Sequence, residues 1–343
     1  MKIICVEEHT IDLEMAKAAA PALQREAPYM RDQLNSQAAW PRDSGRPTSV
    51  SMREAFELAV DLGEGRIKAM DEHGIQMQVL SNTTPAQLTP LDRAVPLARA
   101  ANDRIADAIK AYPHRLSGLA ALPWQDPQGA VAELDRCVGD LGLKGVLIVG
   151  RPGDTFLDDP RYAPVLQRLS DLRVPLYVHP YHPLPQVQEA YYGGFSPAVT
   201  AWLSLGAWGW HNEAGVHVLR LILSGAFQRY PGLQIISGHW GEMVPFYLQR
   251  LDDALSPTTT GLPDTITEIY RRHVWVTPSG IWGLPHFEFV HKVVGADRII
   301  WSVDYPYLAL DGTRAFLEEL SVSHDDREKM THLNAEKLFG LPA

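Results

Sequence analysis

Eight short runs rich in Val, Ile and Leu recur along the chain, at 3–6, 76–81, 116–122, 145–149, 175–179, 234–239, 274–277 and 299–304. Between them, the stretches 51–73, 91–112, 127–141, 159–172, 213–230 and 242–255 carry apolar residues at helical spacing. Strand and helix in alternation require a parallel sheet, because one parallel strand reaches the next only by a crossover. Near-continuous apolar strands belong to a sheet covered on both faces, and eight such units favour a closed barrel over an open doubly wound sheet. The predicted fold is α/β, a (β/α)8 TIM barrel.

The 343 residues fit one such domain, 1–343, with rim insertions at about 10–50 and 181–210. The second insertion holds Tyr191, Tyr192, Trp202, Trp208 and Trp210, suited to a pocket wall or to packing under a long loop. No GxGxxG turn follows the first run, which argues against a dinucleotide site. The net charge is -10 and the Lys and Arg residues are scattered, so neither nucleic acid nor a membrane is an expected partner. An anionic substrate would then need local arginines or a metal cation to attract it. The apolar run before Glu7 is too short for a signal peptide, and Cys5 and Cys137 are too few for a disulfide framework. A cytoplasmic location is expected.

Polar residues end four of the apolar runs: Glu7 and His9 in VEEH, His179 in YVHP, His239 in SGHWGE and Asp304 in SVDYP. Strand ends form the mouth where an α/β barrel assembles its chemistry, so these distant motifs converge there. Side chains alternate along a strand, so Glu7 and His9 project together while Glu8 points away. That carboxylate and imidazole can both reach a divalent ion near the barrel axis. Pro180 stops the fifth run and leaves His179 at the mouth, as a ligand or as a hydrogen-bonded core residue. Asp304 would be a costly buried carboxylate unless a metal or another cation met it.

Glu242, three residues after His239, can sit on a first helical turn and orient the imidazole. The pair reads as a general acid or base with its orienting carboxylate; the alternative is a helix-start glutamate and a histidine beside the ligands. For an anionic ligand, Arg250 in HWGEMVPFYLQR is the first candidate clamp, with Arg151 and Arg46 behind it. Glu213 and His217 stand at helical spacing but lack the HExxH order, so they read as a side-chain pair.

Together with GEGRIKAMDEHGIQMQVLS, LAALPWQDP, LDRCVGDLGLKGVLIVG, VPLYVHPYHPLP, HVLRLILSG, GADRIIWSVDYP and NAEKLFGL, these motifs run nearly the whole length. The chain resembles the decarboxylase branch of the amidohydrolase superfamily, the group of γ-resorcylate, 2,3-dihydroxybenzoate and 5-carboxyvanillate decarboxylases. More distantly it is similar to aminocarboxymuconate semialdehyde decarboxylase. The resemblance implies one divalent ion, Zn2+ or Mn2+, bound by Glu7, His9, His179 and Asp304, with His239 in the catalytic position and Arg250 at the carboxylate-binding arginine. It also implies a homodimer or homotetramer. Where the γ-resorcylate enzymes have Asn before Gly in the fourth-strand motif, this chain has Val149 in LIVGRP, which points to another hydroxylated aromatic acid.

The expected activity is nonoxidative decarboxylation of a hydroxylated aromatic carboxylate, with Asp304 donating the proton to the ring carbon, His239 assisting and Arg250 gripping the carboxylate. The alternatives are metal-dependent hydrolysis of an ester, amide or lactone at the same site, and a noncatalytic barrel that binds an aromatic ligand.

Overall fold

The computed structural model describes residues 1–36 and 48–342. Seven strands are formed among them: β1 (Ile4–Thr10), β2 (Met77–Asn82), β3 (Leu116–Gly118), β4 (Val146–Val149), β5 (Leu176–His179), β6 (Ile235–Ser237) and β7 (Val274–Val276). They pair in parallel, in the orders β1-β2-β3 and β4-β5-β6-β7. A bridge between Ala120 and Val146 joins the two sheets, and the eighth run closes the ring by bridging Val276 at Ile299 and Glu8 at Tyr305. Across that closure Ile300 N–H donates to Val276 O at 3.0 Å, Val6 N–H to Trp301 O at 3.0 Å and His9 N–H to Tyr305 O at 2.6 Å. The chain is a TIM barrel.

The expected eighth strand is therefore a pair of bridges, and side chains explain why. Val303 N–H is taken by the Glu8 carboxylate at 3.0 Å, and Asp304 lies in the left-handed region with φ 75°. Similarly, the third run stops at Gly118 because Asn102 Oδ1 accepts the Ala121 N–H at 2.9 Å in place of a strand carbonyl. The predicted helix over 51–73 is two helices, Met52–Ala59 and Glu64–Glu72, parted where Asp61 Oδ1 accepts the Gly63 N–H at 2.7 Å. The 213–230 helix starts earlier, at Gly209, and breaks at Gly225, whose φ of 73° suits glycine.

Inside the barrel, Ile4, Val6, Met77, Val79, Leu119, Leu147, Val149, Tyr177 and Ile236 pack together. Their strand neighbours Cys5, Leu80, Val146, Ile148, Leu176, Val178 and Ile235 pack outward against the helices. This alternation gives β1 a problem: with Ile4 and Val6 inward, strict parity would turn Glu8 inward and Glu7 out. A register shift in the β1–β2 pairing between Cys5 and Glu8 resolves it, two residues of β2 spanning three of β1. Such bulges re-aim side chains beside active sites.

The insertions hold structure of their own, with helices Leu13–Glu26 and Met30–Ser36 in the first and Pro197–Ser204 in the second. They touch each other, Tyr29 Oη donating to Glu189 Oε2 at 2.6 Å and Gln188 Nε2 to Glu26 O at 2.7 Å. Among the described residues, no helix is long and apolar enough to cross a membrane.

Candidate active site

At the mouth, the bulge brings Glu7 and His9 from β1 to the same side as His179, the last residue of β5, and Asp304. One ligand atom from each of the four lies within 4.8 Å of the others. His9 Nε2 is 2.9 Å from Asp304 Oδ1, and His179 Nε2 is 3.7 Å from Glu7 Oε1. Each imidazole is held by its other nitrogen, His9 Nδ1 against Ser81 Oγ at 2.9 Å and His179 Nδ1 against Pro180 O at 2.7 Å. Because a carbonyl only accepts, His179 Nδ1 carries the proton and Nε2 offers a lone pair to the cluster. Burial, then the nearby His9, pushes the His179 pKa down to about 3, so the ring is neutral.

Glu7 is fully buried, and burial raises its pKa. Its Oε2 accepts from Ser279 Oγ, from Thr277 Oγ1 at 3.2 Å and from Ser302 Oγ at 3.4 Å, while Oε1 has no hydrogen-bond partner. Tyr177 Oη supports this hydroxyl ring from Thr277 Oγ1 at 2.8 Å. Gly238 stands beside the free oxygen, and a Cβ there would sit 3.1 Å from Oε1 and 3.0 Å from Ser279 Oγ. Two carboxylates and two imidazole nitrogens, one carboxylate oxygen orphaned and its flank kept open, fit a divalent cation.

His239 approaches from the adjoining loop, its Nε2 3.9 Å from Asp304 Oδ2 and its Nδ1 2.7 Å from Glu242 Oε1. The expected first helical turn at Glu242 is instead a left-handed turn, with φ of 47°, 58°, 84°, 51° and 67° from His239 to Met243; the helix begins at Val244. Each non-glycine residue there costs on the order of 1 kcal/mol, strain of the kind stored at functional sites. Ser279 Oγ accepts the His239 N–H at 3.1 Å and Thr277 O the Trp240 N–H at 2.8 Å, which holds the turn. Burial alone would lower the His239 pKa, but Glu242 and Asp304 outweigh it and raise it well above the usual imidazole range. Burial acts oppositely on Asp304, and His239 and His9 outweigh it to hold that carboxyl below its usual range.

Glu242 also binds a second imidazole, His211 Nδ1 at 2.9 Å, and the His211 ring packs 4.3 Å from that of His239. His211 escaped the sequence reading because it sits just past the 181–210 insertion, in the first turn of the helix Gly209–Leu223, where no strand end marks it. The ring of Ser279, Thr277 and Ser302 was missed too, although Thr277 ends the seventh run, Ser279 follows it by two residues and Ser302 lies in the eighth run two residues before Asp304.

The arginines separate. Arg151 is buried past β4, its Nε 3.0 Å from Glu213 Oε1 and its Nη1 donating to Gly153 O at 2.7 Å. Arg250 is exposed on the helix Val244–Ala254, so within one chain it is not gathered into the buried cluster. Arg46 lies outside the described residues. Glu213 and His217 have separate partners, since His217 Nε2 accepts the Leu157 N–H at 3.2 Å. Of the tryptophans, Trp210 stacks on Tyr181 at 6.2 Å and donates to His211 Nε2 at 3.1 Å, whereas Trp208 is half exposed.

Residues 39–341 match the amidohydrolase family model. The γ-resorcylate decarboxylase of Polaromonas sp. is 37% identical over 294 residues, 82% of this chain and 88% of that protein. A dihydroxybenzoic acid decarboxylase from Polaromonas sp., solved with manganese and the inhibitor 2-nitroresorcinol, superposes with a TM-score of 0.82 at 33% identity, covering 99% of this chain and 97% of that one. A 5-carboxyvanillate decarboxylase from Novosphingobium aromaticivorans, solved with manganese and 3-methoxy-4-hydroxy-5-nitrobenzoic acid, gives 0.86 at 32% identity with the same coverages. The chain belongs to the amidohydrolase family, in its decarboxylase branch.

Proposed function

We propose that the protein is a metal-dependent carboxy-lyase that removes CO2 without oxidation from a hydroxylated aromatic carboxylate of the hydroxybenzoate type. The observation that carries this reading is the converging set Glu7, His9, His179 and Asp304 with His239 beside it, in a chain similar to decarboxylases over most of its length. Glu7, His9, His179 and Asp304 would hold one divalent ion, Mn2+ or Zn2+. That ion supplies positive charge that offsets the substrate's carboxylate and phenolate oxygens.

The chain's residues manage one proton. His239 keeps it at the mouth, with Glu242 accepting from Nδ1 and fixing the ring so that Nε2 faces Asp304 Oδ2. Asp304 delivers that proton to the ring carbon bearing the carboxylate; the carbon–carbon bond then breaks, its electron pair restores the aromatic system and CO2 leaves. His239 returns a proton to Asp304, so each turnover takes one proton from solvent. Arg250 is proposed as a carboxylate clamp only for an assembly that covers its exposed face. Exposed Phe246, Tyr247 and Phe289, with ring centroids 5.4 and 5.6 Å apart, support a homodimer or homotetramer. The buried thiols of Cys5 and Cys137, both unpaired, are in keeping with the cytoplasm.

Metal analysis of the purified protein, joined to CO2 release from a hydroxybenzoate panel, tests the reading. About one equivalent of metal and turnover of at least one acid are expected. Turnover of lactones or esters, with no CO2 from any acid, would overturn it in favour of hydrolysis. His239→Asn is expected to lower turnover about 10²–10⁴-fold with metal content unchanged.

A further inference from the structure

Glu242 is only 2% exposed, and each of its carboxylate oxygens faces a different imidazole: Oε1 meets His239 Nδ1 at 2.7 Å and Oε2 meets His211 Nδ1 at 2.9 Å. Burial alone would raise its pKa, but His239 and His211 outweigh burial and hold the carboxyl below its usual range. Glu242 is therefore an anion that only accepts, so Nδ1 of both rings carries a proton. The nearby Tyr270 is not a further donor, since its buried Oη has no hydrogen-bond partner. Among the described residues, the two histidines are the hydrogen-bond donors to this side chain.

The far end of His211 is held as well. Its Nε2 lies 3.1 Å from Trp210 Nε1, a donor, and 3.0 Å from Gly206 O, an acceptor, so a neutral ring accepts from the indole and a charged ring donates to the carbonyl. In either state Nδ1–H stays aimed at Glu242. The helix Gly209–Leu223 brings the ring there, because Gly215, one turn after His211 on the same face, lies so close to the left-handed turn that a Cβ would sit 2.6 Å from Glu242 O. A side chain at that position would push His211 away.

A carboxylate held at one oxygen can still rotate about its last bond. Held at both, its plane is fixed, and so is the imidazole that donates to it. His239 depends on that, because its Nε2 has to stay aimed at Asp304 Oδ2, 3.9 Å away. His211 itself lies outside the cluster of Glu7, His9, His179 and Asp304.

We propose that His211 is a positioning residue for His239, acting through Glu242: by pinning the second carboxylate oxygen it fixes the ring that handles the proton. The reaction it serves rests on the decarboxylase reading, whereas the pinning does not.

The two ends of His211 can be separated in the full chain loaded with Mn2+, with the dihydroxybenzoate isomers as substrates. An asparagine amide nitrogen stands where imidazole Nδ1 was and can still donate to Glu242; a glutamine amide stands at the Nε2 end and keeps Trp210 and Gly206 but not Glu242. His211→Gln is expected to lower kcat about 10-fold with KM within about 2-fold and metal content unchanged, while His211→Asn stays within about 3-fold of the unsubstituted enzyme. Crystal structures of the two variants should show His239 Nδ1 and Glu242 drawn apart beyond about 3.5 Å in His211→Gln and in contact in His211→Asn. Equal losses in both, no loss in either, or a loss confined to His211→Asn would overturn the proposal and leave His211 an anchor of the insertion. A His239–Glu242 contact broken only in His211→Gln, with no CO2 from any acid even in the unsubstituted enzyme, would support the positioning role while sinking the decarboxylase reading.

Discussion

Glu7 and Glu8 are adjacent, both carboxylates and both fully buried, yet β1 delivers them to opposite environments. Glu8 faces the outer layer, where Oε1 accepts the Val303 N–H at 3.0 Å and Oε2 accepts from Gln78 Nε2 at 3.3 Å. Arg66 completes that network, donating to Gln78 Oε1 at 3.1 Å and His9 O at 2.7 Å with its guanidinium 5.1 Å from the Tyr305 ring centroid. Glu7 faces the mouth with hydroxyl donors on one oxygen and nothing on the other. Burial raises the pKa of both carboxyls. The matched carboxylate is a fastener between the first, second and eighth runs; the mismatched one keeps its coordination capacity for a ligand.

This contrast can be broken experimentally. Chelating the metal should abolish turnover entirely while far-ultraviolet circular dichroism stays that of the folded barrel, because the cluster's residues are positioned by the strands beneath them. Unfolding on chelation would make the Glu7 side a fastener as well. Arg66→Met should act in the opposite way, destabilising the fold by roughly 3–5 kcal/mol in a denaturant titration, since it strands Glu8 in a buried network. A loss under about 1 kcal/mol would mean that Glu8 does not depend on Arg66.

Smaller effects sharpen the picture. Glu242→Gln keeps a hydrogen-bonding side chain between His239 and His211 but removes its charge, and turnover should fall about 10–100-fold with metal retained. An unchanged rate would reduce Glu242 to a packing role. Least visible of all, Glu7→Gln should change stability by less than about 1 kcal/mol in the apo protein while metal content drops, because it removes an uncompensated buried carboxylate. A large loss of stability there would erase the difference between the two glutamates.

How far the sequence could be read follows the same division. The closed parallel ring and the place of Glu7 and His9 at a strand end were legible because runs of apolar residues repeat locally and end in polar residues. The route to that pair was not. Parity counted from Ile4 and Val6 would have chosen Glu8, and the bulge that rescues Glu7 is a property of the β1–β2 pairing. His211 was illegible because it reaches Glu242, 31 residues away, from the first turn of the helix Gly209–Leu223, ahead of the stretch that the helical spacing marked. Arg250 read as a clamp from its place after His239, but the buried face of its helix is set by Val244, Pro245 and Leu248, which turns the guanidinium to the exterior.

By itself, then, the sequence determined the alternation of elements and the polar endings Glu7, His9, His179, His239 and Asp304, since these depend on spacing along a single run. Tertiary structure decided what those endings meet. The Glu7 carboxylate is held by Ser279, 272 positions away, His9 by Ser81 at a separation of 72, and the left-handed turn carrying His239 by the loop after β7. Contacts between residues so far apart leave no periodic trace, because their geometry exists only once the ring has closed and the strand ends share one mouth.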